Sequence, residues 1–207
     1  MQAEGRTGLI SAADGALNPL RLDKTGAITI VSAHPLYSEA SLRSNMFAVS
    51  TAVAGVAPGT ALSTTPPLAL LNPLNSGVDL VILKTSVGYI SGTLGAGSIV
   101  YAYYTPQATL PTSGAELTPI CTKIGQIKGA GRAYQGSTIT GTPLILRPAF
   151  NMGAALATTA LGISTCQDLV EGEIIVPPAT VFVMQGVAAA GTSPLVLLSI
   201  VWEEMNI

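Results

Sequence analysis

Glycine and proline cut this chain at short intervals, and the pieces between the cuts are mostly apolar and short. The 207 residues include 22 Gly and 14 Pro. Such spacing leaves no room for long helices, because glycine and proline both break the helical pattern. The pieces read as strands instead: Met46–Val53, Leu68–Leu71, Val78–Ile90, Ser98–Tyr104, part of Leu117–Ile127, Thr142–Leu146, Gly172–Val176, Thr180–Gln185 and Leu195–Glu204. Turn signals separate them, among them Val56-Ala57-Pro58-Gly59, Asn75-Ser76-Gly77, Gly92–Gly97 and Pro177-Pro178. Gly88, inside Val78–Ile90, predicts a bulge or bend. One segment, Ala154–Leu161, has weak helical character. Nine or ten short strands joined by turns predict an all-β fold, an antiparallel β-sandwich that is jelly-roll-like.

The first 45 residues differ from the rest. They hold 8 of the 20 charges and are broken by Gly5, Gly8, Gly15, Asn18-Pro19, Gly26 and His34-Pro35. Only Leu20–Leu22 and Ala27–Ser32 look strand-like, with a turn at Lys24-Thr25-Gly26. The expected organisation is an extended N-terminal arm with a short hairpin over 1–45, then a sandwich domain over 46–207.

Charge is scarce. Nine basic and 11 acidic residues make 10% of the chain, against roughly 25% in ordinary soluble proteins. Mean hydropathy is +0.53. A disordered chain would be polar and charged, and a phosphate-backbone binder would be basic, whereas the net charge here is −2. No apolar run reaches the 18 or so residues of a membrane span: Val78–Ile90 contains Asp79 and Lys84, and Leu195–Trp202 ends at Glu203-Glu204. The N-terminus shows no basic stretch followed by an apolar core, so no signal peptide is expected. Twenty charges cover a 21 kDa surface thinly, so part of that surface is expected to be buried against other chains, in a homotrimer or larger. Small-residue stretches at Ser50–Thr65 and Ala154–Thr165 suit close backbone contacts. Cys121 and Cys166 do not make a disulfide framework and read as free thiols.

Chemistry-bearing patterns are sparse. His34 is the one histidine, it sits in the broken arm, and no Gly-x-Ser-x-Gly elbow accompanies it. Zinc would have only Cys121, Cys166 and His34, one group short of four. Lys128-Gly129-Ala130-Gly131-Arg132 could hold an anion, but it fits no phosphate loop and the solvated hairpin loop is the favoured reading. Glu171 and Glu173, two apart on a predicted strand, would share a face, and Glu203-Glu204 close the last strand. Tyr101 and Tyr103 would face one way and Tyr104 the other. No catalytic, cofactor-binding or metal-binding residue is assigned. The last strand is apolar on both faces, so it is expected to lie centrally in its sheet, with its second face covered by another subunit or the arm. Trp202, Tyr101, Tyr103, Tyr104 and Phe47 are the aromatic side chains expected at contacts between subunits.

The stretches Phe47–Leu62, Asn72–Lys84 and Pro194–Ile207 resemble those of structural proteins of tailed-bacteriophage virions, with a short arm before a charge-poor β-sandwich. The resemblance covers most of the chain from about Leu20. It implies a non-enzymatic capsid decoration or cement protein, assembled in the host cytoplasm into the virion, whose partners are its own copies and the major capsid or other virion proteins. Neither nucleic acid nor membrane is an expected partner. The alternative is a receptor- or carbohydrate-binding module of a head or tail appendage. The loops Thr105–Gly114 and Lys128–Gly136 contain one aromatic residue, Tyr134, which favours the structural role.

Overall fold

The computed structural model describes residues 35–107, 109–126, 129–152 and 165–207. The expected arm strands, the helix candidate Ala154–Leu161, His34 and Lys128 lie outside the described residues. The chain divides into two units, Met1–Glu39 and Ala40–Ile207. The amide and Oγ of Ser38 donate to the Pro35 carbonyl at 3.0 and 2.8 Å, opening a single helical turn, α1 (Ser38–Leu42).

The second unit is built from two antiparallel sheets. Its strands in chain order are β1 (Met46–Ser50), β2 (Leu68–Asn72), β3 (Val78–Leu94), β4 (Ser98–Tyr104), β5 (Ala115–Leu117), β6 (Ile120–Cys121), β7 (Arg132–Gln135), β8 (Leu144–Asn151), β9 (Thr165–Leu169), β10 (Ile175–Val176), β11 (Thr180–Val187) and β12 (Gly191–Asn206). The first sheet runs β10-β3-β12-β1-β6, with β9 also on β3; the second runs β5-β7-β2-β11-β4-β8. This is the expected all-β sandwich.

Four details depart from the sequence reading. Lys128–Gly136, read as a loop, contains β7. Thr165–Leu169, not read as a strand and overlapping the small-residue stretch only at Thr165, is β9. Gly172–Val176 begins as a strand only at Ile175, because Glu171 and Gly172 both take positive φ and turn the chain. Gly88 is not a bulge: it pairs in register with Leu197 and Thr165. The irregularities fall on either side of it. Val201 pairs with Lys84 and Trp202 with Ile82, leaving Leu83 as the extra residue; Leu195 pairs with Ser91 and Val196 with Tyr89, leaving Ile90. A bulge shifts the period-2 alternation by one. The shift at Leu83 therefore lets Leu80 and Ile82 before it, and Thr85 and Val87 after it, all face inward.

The main core lies between the sheets and includes Phe47, Leu68, Leu70, Leu80, Ile82, Tyr101, Phe182, Met184, Leu198, Ile200 and Trp202. A second cluster, Ala69, Leu71, Ala102, Tyr104, Tyr134, Ile139, Val181 and Val183, occupies the outer face of the second sheet, with Leu62 packed on it. The β1–β2 connection reaches this face: Ser63 N donates to Gln185 Oε1, Tyr104 OH donates to the Ser63 carbonyl, and Ile139 N donates to the Thr64 carbonyl. Two-sided burial is thus clearest in the second sheet, where β11 is buried from Val181 to Gly186. β12 does lie centrally, between β3 and β1. Its inner face, Val196, Leu198, Ile200 and Trp202, is buried, while Leu195, Leu197, Ser199 and Val201 are half-buried.

The small residues of Ser50–Thr65 do make a close backbone approach, and it is internal. Gly186 N donates to the Pro58 carbonyl and Ala188 N to the Thr60 carbonyl. A Cβ on Gly186 would stand 2.7 Å from the Gly59 oxygen, so only glycine fits there.

Candidate functional site

The residues with the densest polar chemistry meet at one side of the sandwich, where β8 of the second sheet lies near β9 of the first. Tyr101, on β4, points inward and its ring packs against Phe182 with centroids 5.3 Å apart. Its hydroxyl donates to Asp168 Oδ2 at 2.8 Å and accepts a bond from Thr85 Oγ1. Arg147, on β8, donates from one Nη to Asp168 at 2.9 Å and to Glu173 at 3.3 Å. Its guanidinium carbon sits 4.9 Å from the centroid of the Tyr101 ring, a cation–π distance. Burial pushes the Tyr101 phenol well above its ordinary range, and the bond and charge of Asp168 push the same way against the Thr85 bond. Burial opposes the charge on Arg147, but the hydrogen bond and attraction of Asp168, with Glu173, outweigh it and hold the guanidinium above its ordinary value. This is a neutral phenol beside a paired ion, and it ties the two sheets together.

Beside it is a cleft of about 330 Å³, lined by Tyr103, Leu146, Ile174, Ile175, Thr180 and Phe182, with Glu173 at its rim. Its walls are mainly aliphatic and aromatic. A second cleft of about 380 Å³ lies under the β1–β2 connection, between Gly55, Ser63, Gln135 and Gln185.

The glycine-rich loop before β7 does hold an anion, and the anion is the chain's own. Glu204, on β12, accepts the amides of Ala130 and Gly131 at 2.9 and 2.8 Å, one to each carboxylate oxygen, and its Oε1 lies 3.4 Å from Trp202 Nε1. Successive backbone N–H groups converging on a carboxylate form such a nest readily. Gly131 permits the approach: a Cβ there would meet the Trp202 ring at 3.2 Å.

Of the aromatic side chains expected at subunit contacts, four are enclosed by their own chain. Trp202, Tyr101 and Tyr104 are fully buried and Phe47 nearly so. Phe47 and Trp202 are register partners with ring centroids 6.0 Å apart. Only Tyr103 keeps surface, at the cleft. Tyr101 and Tyr104 do face opposite sides of β4, in different clusters. Burial raises the Tyr104 phenol, against a hydrogen bond from Gln185; burial, then the charge of Glu116, raises Tyr134 against Arg132. Glu171 and Glu173 do not share a strand face, because both lie in the turn before β10; Glu173 pairs with Arg147. Cys121 is buried and Cys166 exposed, and both are free. Among the described residues no three His, Cys, Asp or Glu side chains gather as a metal site would need, and no helix is long and apolar enough to cross a membrane.

Sequence reasoning missed Arg147 and Asp168. The available signal was scarcity itself: in a chain with 20 charges, an arginine directly after Leu144-Ile145-Leu146 stands out. Compared with known protein families, curated proteins and solved structures, the chain matches none.

Proposed function

We propose that the chain is a non-enzymatic structural protein of a virion, a decoration or cement protein that works through contacts with its own copies and with other virion proteins. The observation that carries this reading is a complete internal core beneath a surface still rich in aliphatic side chains. Leu144, Ile145, Leu146, Leu169, Ile175, Ile120 and Ile124 are all exposed although both core clusters are closed. Exposed aliphatic surface on a charge-poor protein suits assembly. The strand order adds support: β1–β2, β2–β3, β3–β4, β10–β11 and β11–β12 each cross from one sheet to the other. We read this alternation as a jelly roll, an architecture shared by capsid proteins and lectins.

Purified protein is expected to sediment at a multiple of 21 kDa, and its peptides to co-purify with density-gradient-purified phage particles. A monodisperse 21 kDa species at micromolar concentration, absent from such particles, would overturn the reading. One observation favours a second reading as a carbohydrate- or receptor-binding module: Tyr103 is half-exposed in a cleft that also presents Thr105, Thr180 and Glu173. Glycan-array binding that disappears in Tyr103→Ala would select it.

A further inference from the structure

The two glutamines under the β1–β2 connection are held in the same way. Gln135 Oε1 accepts the Ala52 amide at 2.8 Å, and Gln185 Oε1 accepts the Ser63 amide at 3.2 Å. A backbone N–H can only donate, so these bonds fix which end of each carboxamide is oxygen and which is nitrogen. Both oxygens are occupied by the chain itself, and each NH2 group still has two hydrogens to give. Gln185 is 1% exposed. The Tyr104 hydroxyl, which gives its own hydrogen to the Ser63 carbonyl, can accept one of the two on Gln185 Nε2. Among the described residues nothing accepts the other. Buried donors without an acceptor are rare in folded proteins, and each one marks a place where a ligand or a water belongs.

Both glutamines line the cleft of about 380 Å³, which falls in the roughly 300–1,000 Å³ range of small-molecule sites. Ser63 and Thr65 add hydroxyls to it, with their Oγ atoms 3.4 Å apart. Val56, Pro67 and Leu195 supply aliphatic wall. Gly55, Gly59 and Gly136 line it without side chains, and a Cβ on Gly136 would meet nothing within 4 Å. Among the described residues that line the cleft none is charged. The site is therefore neutral, rich in hydrogen-bond donors at one end and aliphatic along its walls.

We propose that this cleft binds an uncharged sugar unit. Its ring and hydroxyl oxygens accept from Nε2 of Gln135 and Gln185, its hydroxyls also bond Ser63 and Thr65, and its C–H face lies on Val56, Pro67 and Leu195. An anion is disfavoured, because carboxamides and hydroxyls do not neutralise a charge taken out of water. A purely apolar ligand would leave the Gln185 donor unpaired. The inference goes beyond the structural role and does not depend on it. It is also separate from the Tyr103 cleft, whose lining shares no residue with this one.

Saturation-transfer NMR of the wild-type protein with glucose, galactose, maltose and lactose, and with glucuronate as the charged control, tests this. At least one neutral sugar should receive saturation, and adding it should shift the side-chain NH2 resonances of Gln135 and Gln185. Gln135→Glu keeps an oxygen for the Ala52 amide and turns the NH2 donor into an acceptor, so binding should weaken about tenfold or more. Tyr103→Ala should leave binding unchanged. If Gln135→Glu fails to fold, the NH2 shifts in the wild type decide. No transfer to any of the neutral sugars, tighter binding of glucuronate, or unmoved NH2 resonances would overturn the proposal. Binding lost in Tyr103→Ala and kept in Gln135→Glu would overturn it too and move sugar binding to the other cleft. None of these results touches the assembly reading, which sedimentation tests on its own.

Discussion

Replacing Glu204 by alanine removes the acceptor for the Ala130 and Gly131 amides and leaves Trp202 Nε1, on a fully buried ring, with its 3.4 Å neighbour gone. Hydrogen bonds to a charged group contribute about 1.5–3 kcal/mol each. The two amide bonds are part-buried, so the low end applies, about 3 kcal/mol together; the orphaned indole N–H adds up to about 1 kcal/mol. For a chain of this size each kcal/mol moves Tm by about 2–4 °C, so Glu204→Ala should melt roughly 6–15 °C lower. Glu204→Gln keeps one carbonyl acceptor and should lose about half as much, some 1.5–2 kcal/mol. Thermal unfolding followed by circular dichroism measures both. Hydrogen exchange adds a local reading, since the Ala130 and Gly131 amides should lose protection while those of β11 keep it. Glu203→Ala is the control, because adjacent side chains of a strand face opposite ways. If Glu204→Ala cost no more than Glu203→Ala, or left the two amides protected, the nest would not hold the loop and the argument would fail.

Trp202→Ala should destabilise by about 3–5 kcal/mol, since the ring is fully buried against Phe47 and Gly131; chemical denaturation reads the cost, and an unchanged midpoint would mean the ring is not in the core. Stability should also fall in alkali. The folded phenols of Tyr101, Tyr104 and Tyr134 are raised above 10.0, so they contribute stability that is fully present below about pH 10 and is lost progressively as pH rises from there through their raised folded values. Tyr101→Phe should flatten the loss between pH 10 and 12 by up to about 1.4 kcal/mol per pH unit; a slope unchanged from wild type would refute the assignment.

Strands whose burial runs continuously were legible in the sequence, and those held by tertiary pairing were not. Ser98–Tyr104 is delimited by a glycine turn before and Pro106 after, and its bounds match β4. Thr165–Leu169 has no alternation and follows a run of Ala, Gly and Thr. It is a strand because β3 offers an edge to it from Lys84 to Gly88, a long-range cause that local pattern does not carry. The polar cluster was hidden for the same reason. Tyr101, Arg147 and Asp168 are far apart in the chain and meet only when the two sheets close. The anion loop reads in sequence chiefly as a solvated hairpin: its glycines are visible, but neither the convergence of the Ala130 and Gly131 amides nor Glu204 as their acceptor can be read locally. Trp202 reads in sequence as a contact residue between subunits, yet its ring is buried within its own chain, against Phe47 and Gly131, which hydrophobicity alone does not reveal.

The position of β12 has a consequence for how the protein is made. β12 lies between β1 and β3 in the first sheet, so neither of those strands has its central partner until the chain beyond Gly191 has been synthesised. From Leu94 that is roughly 100 residues, or ~5–20 s at ~5–20 residues per second. During that interval Phe47 and Val49 of β1 and Leu80 and Ile82 of β3, all buried in the finished fold, have no cover from β12. Protein yield in a cell should therefore depend on chaperone capacity and on elongation rate between β4 and β12, separately from the stability of the folded sandwich.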